Sequence, residues 1–139
     1  MRVVALLALA LLLPCPGSAQ QLKPPLFVIH KPTIIAFFPA MTSDQLDKDE
    51  DTNEALSDFQ FYAGAVKPRL QNAGIDFIDT DAIAFRVQTR KARLRFSAGK
   101  ITVGYYFIAP GKKPHILYGV MTDEDLIDEA RKYFHLAIK

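Results

Sequence analysis

The stretch of sequence that decides the fold is VGYYFIAPGKKPHILYGVMTDEDLIDEARKYF, residues 103–134. It begins with an apolar and aromatic run, Val103–Ala109, and a second strand-like run follows at His115–Val120. The segment between them, PGKKP, contains two prolines and a glycine, which are the residues that favour turns. Two such runs joined by a short turn predict a β-hairpin.

A C-terminal helix is predicted directly after this hairpin. Thr122 and Asp125 have the spacing of a capping box, although aspartate replaces the usual glutamate or glutamine. Leu126, Ala130 and Phe134 then recur at the spacing of one helical face. The chain is therefore expected to end with a helix whose apolar side faces the core.

Upstream of the hairpin, the sequence predicts a strand, a long helix and a second strand. The run TIIAFF, Thr33–Phe38, carries no charge and is typical of a strand buried on both faces. Ile75–Ile78 is the second strand. The helix between them is marked by apolar residues every three or four positions: Leu56, Phe59, Ala63, Val66, Leu70 and Ala73. A strand–helix–strand unit requires parallel pairing through a right-handed crossover.

Two shorter elements complete the predicted order. Leu26–Ile29 has the composition of a short edge strand, and Asp79–Asp81 is expected to cap a short helix over Ala82–Arg90. The resulting fold class is α/β: a mixed sheet of about four to five strands flanked by helices, ending in a β-hairpin and a C-terminal helix.

The N-terminus has the pattern of a secretory signal peptide. Arg2 is followed by an apolar run at Val3–Leu13, and Gly17–Ala19 supplies small residues before a cut at Gln20. The run is too short to span a bilayer, which needs roughly 20 residues. Lipidation at Cys15 is an alternative, but a proline precedes this cysteine where lipoprotein signals usually have a small residue.

This N-terminus predicts the domain organisation and the location. Residues 1–19 are a signal peptide, residues 20–32 an extended arm with three prolines, and residues 33–139 one domain. The protein is expected to be exported, either to a periplasm or out of the cell. No transmembrane helix is expected in the mature chain.

Composition excludes thiol chemistry in the exported form. Cys15 is the only cysteine, so cleavage after Ala19 leaves no disulfide, thiolate nucleophile or thiolate metal ligand. Half of the residues are apolar, which is enough material for a packed core. The formal net charge of +2 gives the whole chain no strong preference for nucleic acid.

The segment TIIAFFPA, together with the terminal hairpin and helix, resembles the thioredoxin-like superfamily. Gly119 and Pro68 are similar to the glycine after the last strand and the proline of the long helix in that family. The resemblance implies a C-x-x-C slot at Thr42–Gln45 and a cis-proline near 101–103, and the sequence has neither feature. It therefore implies a degenerate member without thiol–disulfide oxidoreductase activity.

These observations lead to a hypothesis of an exported, redox-inactive module that binds a protein or is structural. The expected contact surface is the former redox loop, because the end of the preceding strand is open there. Its residues are Met41, Thr42, Ser43, Asp44 and Gln45. One alternative is an enzyme that uses Thr42, Asp44 or His115 at the same edge, although the chain is expected not to be an enzyme.

A basic stretch supplies the other alternative, an envelope protein that binds an anionic partner. Residues 86–100 contain six positive side chains and no acidic one. The candidate partner-binding residues are Arg86, Arg90, Arg93 and Arg95. The competing interpretation is a solvated face without a partner. The expected partner is another exported or envelope protein, and nucleic acid is not expected because the signal-peptide pattern predicts export.

The sequence predicts no metal site and no cofactor. Asp47, Asp49, Asp51 and Asn53 occupy the first ligand positions of an EF-hand-like loop. The pattern fails at its sixth position, which needs glycine and has Thr52, and at its twelfth, where aspartate replaces glutamate. The histidines at positions 30, 115 and 135 lack helical metal-ligand spacing. No catalytic residue is predicted.

Overall fold

The computed structural model describes residues 23–99 and 102–139. The predicted signal peptide and Cys15 lie outside these ranges, as do Lys100 and Ile101. The elements in chain order are β1 (Leu26–Val28), β2 (Thr33–Phe37), α1 (Ser43–Leu46), α2 (Glu50–Asn72), β3 (Asp76–Thr80), β4 (Ala84–Gln88), β5 (Arg93–Ser97), β6 (Gly104–Ile108), β7 (His115–Tyr118) and α3 (Asp123–Phe134).

A four-stranded mixed sheet forms the centre of the fold, in the order β3-β2-β6-β7. Strand β2 pairs with β3 in parallel and with β6 antiparallel, and β6 continues antiparallel into β7. Every residue of β2 and β6 is buried, as the uninterrupted apolar runs predict for central strands. The predicted α/β class, with its mixed sheet, final hairpin and C-terminal helix, is confirmed.

The short helix predicted over Ala82–Arg90 is wrong, because this segment forms strand β4. Strand β4 pairs in parallel with β1 and antiparallel with β5, which gives a second sheet in the order β1-β4-β5. Phe85 and Val87 are buried and alternate with more exposed neighbours, so the segment has the period of a strand rather than that of a helix. Thr80, expected in a helix cap, instead accepts the Ala82 N–H at 3.2 Å within a turn.

The two sheets and the helices make three layers. Helices α2 and α3 pack together on one face of the four-stranded sheet. On β2, Ile34 and Ala36 face these helices, while Ile35 and Phe37 face the three-stranded sheet. Phe85, Val87 and Phe96 of the three-stranded sheet cover this second face of the four-stranded sheet. The four-stranded sheet is therefore covered on both faces, although the sequence predicted helices as its cover.

Local capping explains where the helices begin. The Asp49 carboxylate accepts the Thr52 N–H at 3.0 Å and starts α2. Thr122 accepts the Asp125 N–H at 3.3 Å and starts α3, as its capping-box spacing predicts. Helix α2 continues past Pro68 to Asn72. No helix among residues 23–99 and 102–139 has the length and apolar character needed to cross a membrane.

A buried hydroxyl on β6 has no hydrogen-bond partner among the described residues. Tyr105 faces the helices, and its ring centroid lies 4.9 Å from that of Phe59. Burial raises the pKa of Tyr105 above the ordinary 10.0. The nearby Met121 backbone reduces this rise, but it does not meet the geometry of a hydrogen bond to the hydroxyl. A buried polar group without a partner lowers stability.

Replacing Tyr105 with phenylalanine should therefore raise the free energy of unfolding by about 1 kcal/mol at neutral pH. Above pH 10 the gain should increase, because the unfolded tyrosine ionises there while the folded one resists ionisation. The wild-type protein therefore loses stability as the pH rises above 10, because unfolding then releases the Tyr105 proton, and the phenylalanine variant lacks this loss. Urea unfolding at pH 7 and pH 10.5 measures both effects. A destabilised Tyr105→Phe variant would show that the hydroxyl is hydrogen-bonded after all.

Candidate binding surfaces

The outward side of the three-stranded sheet carries three arginines on one solvent-facing surface, here called the basic face. Strand register places Leu26 of β1, Arg86 of β4 and Arg95 of β5 in one row across the sheet. The next row contains Val28, Gln88 and Arg93. Side chains alternate along a strand, so these residues point away from the buried side.

No carboxylate neutralises the basic face within the described chain. Strands β1, β4 and β5 contain no acidic residue. None of the ion pairs found among the described residues involves Arg86, Arg93 or Arg95. Like charges that face each other across two strands destabilise a sheet, as Arg86 and Arg95 do here. An anion bound beside them would offset this repulsion.

Two open grooves run along the basic face. The first, of about 580 Å³, lies over one end of β4 and β5 and is lined by Lys23, Pro24, Ala84, Phe85, Arg86, Arg95, Phe96 and Ser97. The second, of about 350 Å³, adds Leu26, Gln88 and Arg93 and shares Arg86 and Arg95 with the first. At one end, the Arg86 Nε donates a hydrogen bond to the Pro24 carbonyl oxygen at 3.1 Å. This contact holds the arginine stem against the sheet.

Arg90 lies apart from the other three predicted arginines. It is exposed in the turn that joins β4 to β5, beside Lys91. The Thr89 hydroxyl organises this turn by accepting the N–H groups of Lys91 and Ala92 at 3.3 and 3.0 Å. The structure therefore brings Arg86, Arg93 and Arg95 together and leaves Arg90 at the end of the hairpin.

The predicted loop, Met41–Gln45, mostly forms the exposed helix α1 and its cap. Thr42 is the N-cap, and its N–H donates to the Gln45 Oε1 at 2.9 Å while its hydroxyl accepts the Gln45 N–H at 3.3 Å. Thr42, Ser43, Asp44 and Gln45 are exposed, and Met41 is half-buried. The loop is therefore accessible, but the polar groups of Thr42 and Gln45 already serve the helix cap.

Met41 contributes to a different groove, of about 290 Å³. It lies with Pro39 opposite Thr102 and Val103, which precede β6. Its other wall comes from the first turns of α2: Asp51, Thr52, Ala55 and Leu56. Sequence reasoning missed this wall, because the apolar pattern that predicts the helix begins at Leu56, six residues after α2 starts. Its capping residue, Asp49, is the signal that places the helix start there.

The two predicted patches are neighbours at one end of the sheets. A further depression, lined in part by Asp81, Ala82 and Ile83, lies between them. It shares Pro39 with the Met41 groove and Lys23, Pro24 and Ala84 with the basic face. The depression contains the acidic side chain of Asp81 and lies between the basic face and the Met41–Gln45 loop.

The side chains considered for an enzyme do not converge. Thr42 follows the end of β2, whereas His115 pairs with Phe107, which in turn pairs with Ile34 near the start of β2. The intervening strand residues alone span about 10 Å. His115 contacts Glu129 instead, with 3.7 Å between Nε2 and Oε2. In this arrangement His115 cannot exchange a proton with Thr42 or Asp44.

The acidic segment with the EF-hand-like spacing caps and begins helix α2. Asp49 accepts hydrogen bonds from the side chain and backbone of Thr52, and these bonds lower the pKa of its carboxyl. Asp51 and Asn53 already lie in α2. Residues 23–99 and 102–139 contain no group of three metal-ligating side chains.

Comparisons of the chain with protein-family models, curated proteins and solved structures find no match.

Proposed function

We propose that this protein is an exported, redox-inactive module of thioredoxin-like type that binds an acidic protein segment through its basic face. One observation carries the proposal: Arg86, Arg93 and Arg95 share a solvent-facing surface on which the described strands place no carboxylate. Such a surface attracts anions and steers them into the grooves between the arginines. Arginine also presents a planar fork that matches a carboxylate.

The architecture and composition support the thioredoxin-like and redox-inactive parts of the proposal. The parallel pair β2–β3 and the antiparallel β6–β7 hairpin followed by α3 agree with the resemblance in the sequence. The resemblance implies that the C-x-x-C slot of that family corresponds to Thr42–Gln45, where Thr42 and Gln45 form the capping box of α1. A hydroxyl at this position cannot perform disulfide exchange, which needs a thiolate.

A protein partner fits the basic face better than nucleic acid or lipid does. Nonspecific binding of single-stranded nucleic acid uses exposed aromatic rings for stacking, whereas Phe85 and Phe96 are directed into the core. A flat bilayer would contact the rim of the grooves, while a peptide can enter them. Carboxylate side chains on a peptide would reach Arg86 and Arg95 from within the first groove.

Replacing Arg86, Arg93 and Arg95 together with glutamate should weaken binding to a fluorescent glutamate-rich peptide at least roughly tenfold. Each exposed ion pair contributes up to about 1 kcal/mol, and reversal adds repulsion to the loss. Fluorescence anisotropy at two salt concentrations measures the affinity, and wild-type binding should weaken as salt rises. The matched control reverses Lys48 in the turn before α2, Lys67 of α2 and Lys132 of α3, and it changes the net charge equally.

The control separates a local site from general attraction. Equal losses in both triple variants would contradict the proposal, because net charge alone would then explain binding. Retained binding in the arginine variant would also contradict it. Binding to anionic phospholipid vesicles without binding to the peptide would replace the protein partner with a membrane surface. Circular dichroism of each variant checks that the fold is preserved.

A further inference from the structure

The free edge of β5 identifies how a partner can bind beside the basic face. Strand β5 is the last strand of the order β1-β4-β5, so its other side has no strand among the described residues. The hydrogen bonds Thr89 N–H to Ala92 O and Ala98 N–H to Ile83 O fix the ladder between β4 and β5. In an antiparallel ladder, hydrogen-bonded pairs alternate. Leu94 and Phe96 therefore bond to β4.

The remaining β5 residues direct their backbone groups toward the free edge. These residues are Arg93, Arg95 and Ser97, and their side chains are exposed on the outward side. The same residues thus present an unpaired N–H and C=O to the edge and a side chain to the basic face. A strand added antiparallel would place a residue directly opposite each arginine, about 5.5 Å away between Cα atoms.

The inward side of this edge offers a place for apolar side chains. A groove of about 360 Å³ lies beside Leu94 of β5, Ile108 and Ala109 at the end of β6, and the turn before β7. Thr89, Lys91 and Ala92 of the turn between β4 and β5 also line it, so the groove lies at the turn end of β5, beside Leu94. Its rim carries Lys91, Lys112 and Lys113. An apolar side chain can enter this groove while acidic neighbours remain near cationic groups.

We infer that the partner segment is an extended peptide of alternating acidic and apolar residues, which adds antiparallel to β5 as a fourth strand. This inference rests on the proposed function and specifies its ligand. Acidic residues would face Arg93 and Arg95, and the apolar residue between them would lie beside Leu94. Main-chain hydrogen bonds supply affinity in such strand addition, and alternate side chains supply specificity. Charged residues on an edge also deter nonspecific pairing, which leaves a complementary strand favoured.

The test compares three peptides that carry the same side chains. The first alternates glutamate and valine, the second has the same residues in two blocks, and the third is the alternating peptide with methylated glutamate amide nitrogens. We expect the alternating peptide to bind the purified protein at least roughly tenfold more tightly than the other two. Methylation keeps every charge but removes the donors that would bond to β5, so it isolates the main-chain contribution.

A variant of β5 provides the complementary test. Ser97→Pro removes an edge-facing N–H, retains all the arginines and leaves the ladder to β4 intact, since proline is tolerated on an edge strand. It should lose the preference for the alternating peptide. Ser97→Ala is the matched control, because it removes only the hydroxyl that accepts the Gly99 N–H at 3.3 Å. Thermal unfolding of both variants verifies that β5 is still folded.

The outcomes distinguish the two proposals. Equal binding of all three peptides, abolished by reversal of the arginines, would overturn strand addition and retain the basic face as an anion-binding surface. Binding of none of the peptides would overturn both. Retained preference in a folded Ser97→Pro variant would place the peptide elsewhere and overturn the inference. Preference lost in Ser97→Pro and kept in Ser97→Ala would support it.

Discussion

Replacing Phe85 with alanine should lower the free energy of unfolding by about 3–5 kcal/mol, the range for truncating a buried phenylalanine. Phe85 is 1% exposed and lies between the two sheets. Its ring centroid is 4.8 Å from that of Phe96, 5.4 Å from Tyr106 and 5.5 Å from Phe27. These rings come from β5, β6 and β1, so one truncation removes contacts to three strands. Little of the resulting cavity can close, because its walls are backbone-paired sheets.

Urea unfolding followed by circular dichroism measures the effect, and Phe61→Ala is the matched control. Phe61 is 71% exposed on α2, so its truncation should change stability by less than about 0.5 kcal/mol. A Phe85→Ala variant as stable as the control would mean that the three-stranded sheet does not pack against the central sheet. The basic face would then lack the rigid support that its geometry requires.

The central sheet was predictable because its sequence signals are local and unmixed. Strands β2 and β6 are continuous apolar runs, which favour burial on both faces, and the turn before β7 contains proline and glycine. Helix α3 follows a capping residue and has apolar residues on one face. In each of these elements, composition, period and turn residues agree. The chain order alone then required a parallel crossover.

Strand β4 of the second sheet was not predicted, because its local sequence favours a helix and one of its partner strands, β1, is distant in sequence. The segment before β4 contains Asp79 and Asp81, which are good helix caps, so a short helix was the local preference. Strand β4 gains its partners from β1, about 60 residues earlier, and from the rings of the central sheet. Tertiary packing thus overrode a local preference. Only the alternation of Phe85 and Val87 with polar neighbours indicated a strand.

The incorrect helix over Ala82–Arg90 also limited the prediction of the basic face. All four arginines were identified from their clustering, but the predicted helix over Ala82–Arg90 would have placed Arg86 and Arg90 on one helical face. The strand period and the β4–β5 register instead group Arg86 with Arg93 and Arg95. Arg90 falls in the turn. The sequence therefore identified the arginines as candidates, whereas which of them share the basic face depends on the pairing of β4 with β5.

Gly104 marks the closest approach between β6, β7 and the ring of Phe37, so replacing it with alanine should cost about 3 kcal/mol. A Cβ atom at this position would lie 2.5 Å from the Leu117 carbonyl oxygen and 2.6 Å from the Phe37 Cζ. The carbonyl belongs to the backbone of β7, and Phe37 is held between Phe85 and Phe96. Neither neighbour can move without disturbing a sheet.

Gly64→Ala is the same substitution at another glycine, and it should change the free energy of unfolding in the opposite direction. Gly64 lies in α2, and a Cβ there would meet no atom within 4 Å, so helix propensity alone should raise stability by about 0.5–1 kcal/mol. Thermal and urea unfolding of the two variants compare the effects directly. Equal stability changes would contradict the close packing at Gly104. Opposite changes would show that Gly104 is required because β6 and β7 leave no room for a side chain above Phe37. Phe37 in turn contacts Phe85 and Phe96 and so positions the sheet that carries the basic face.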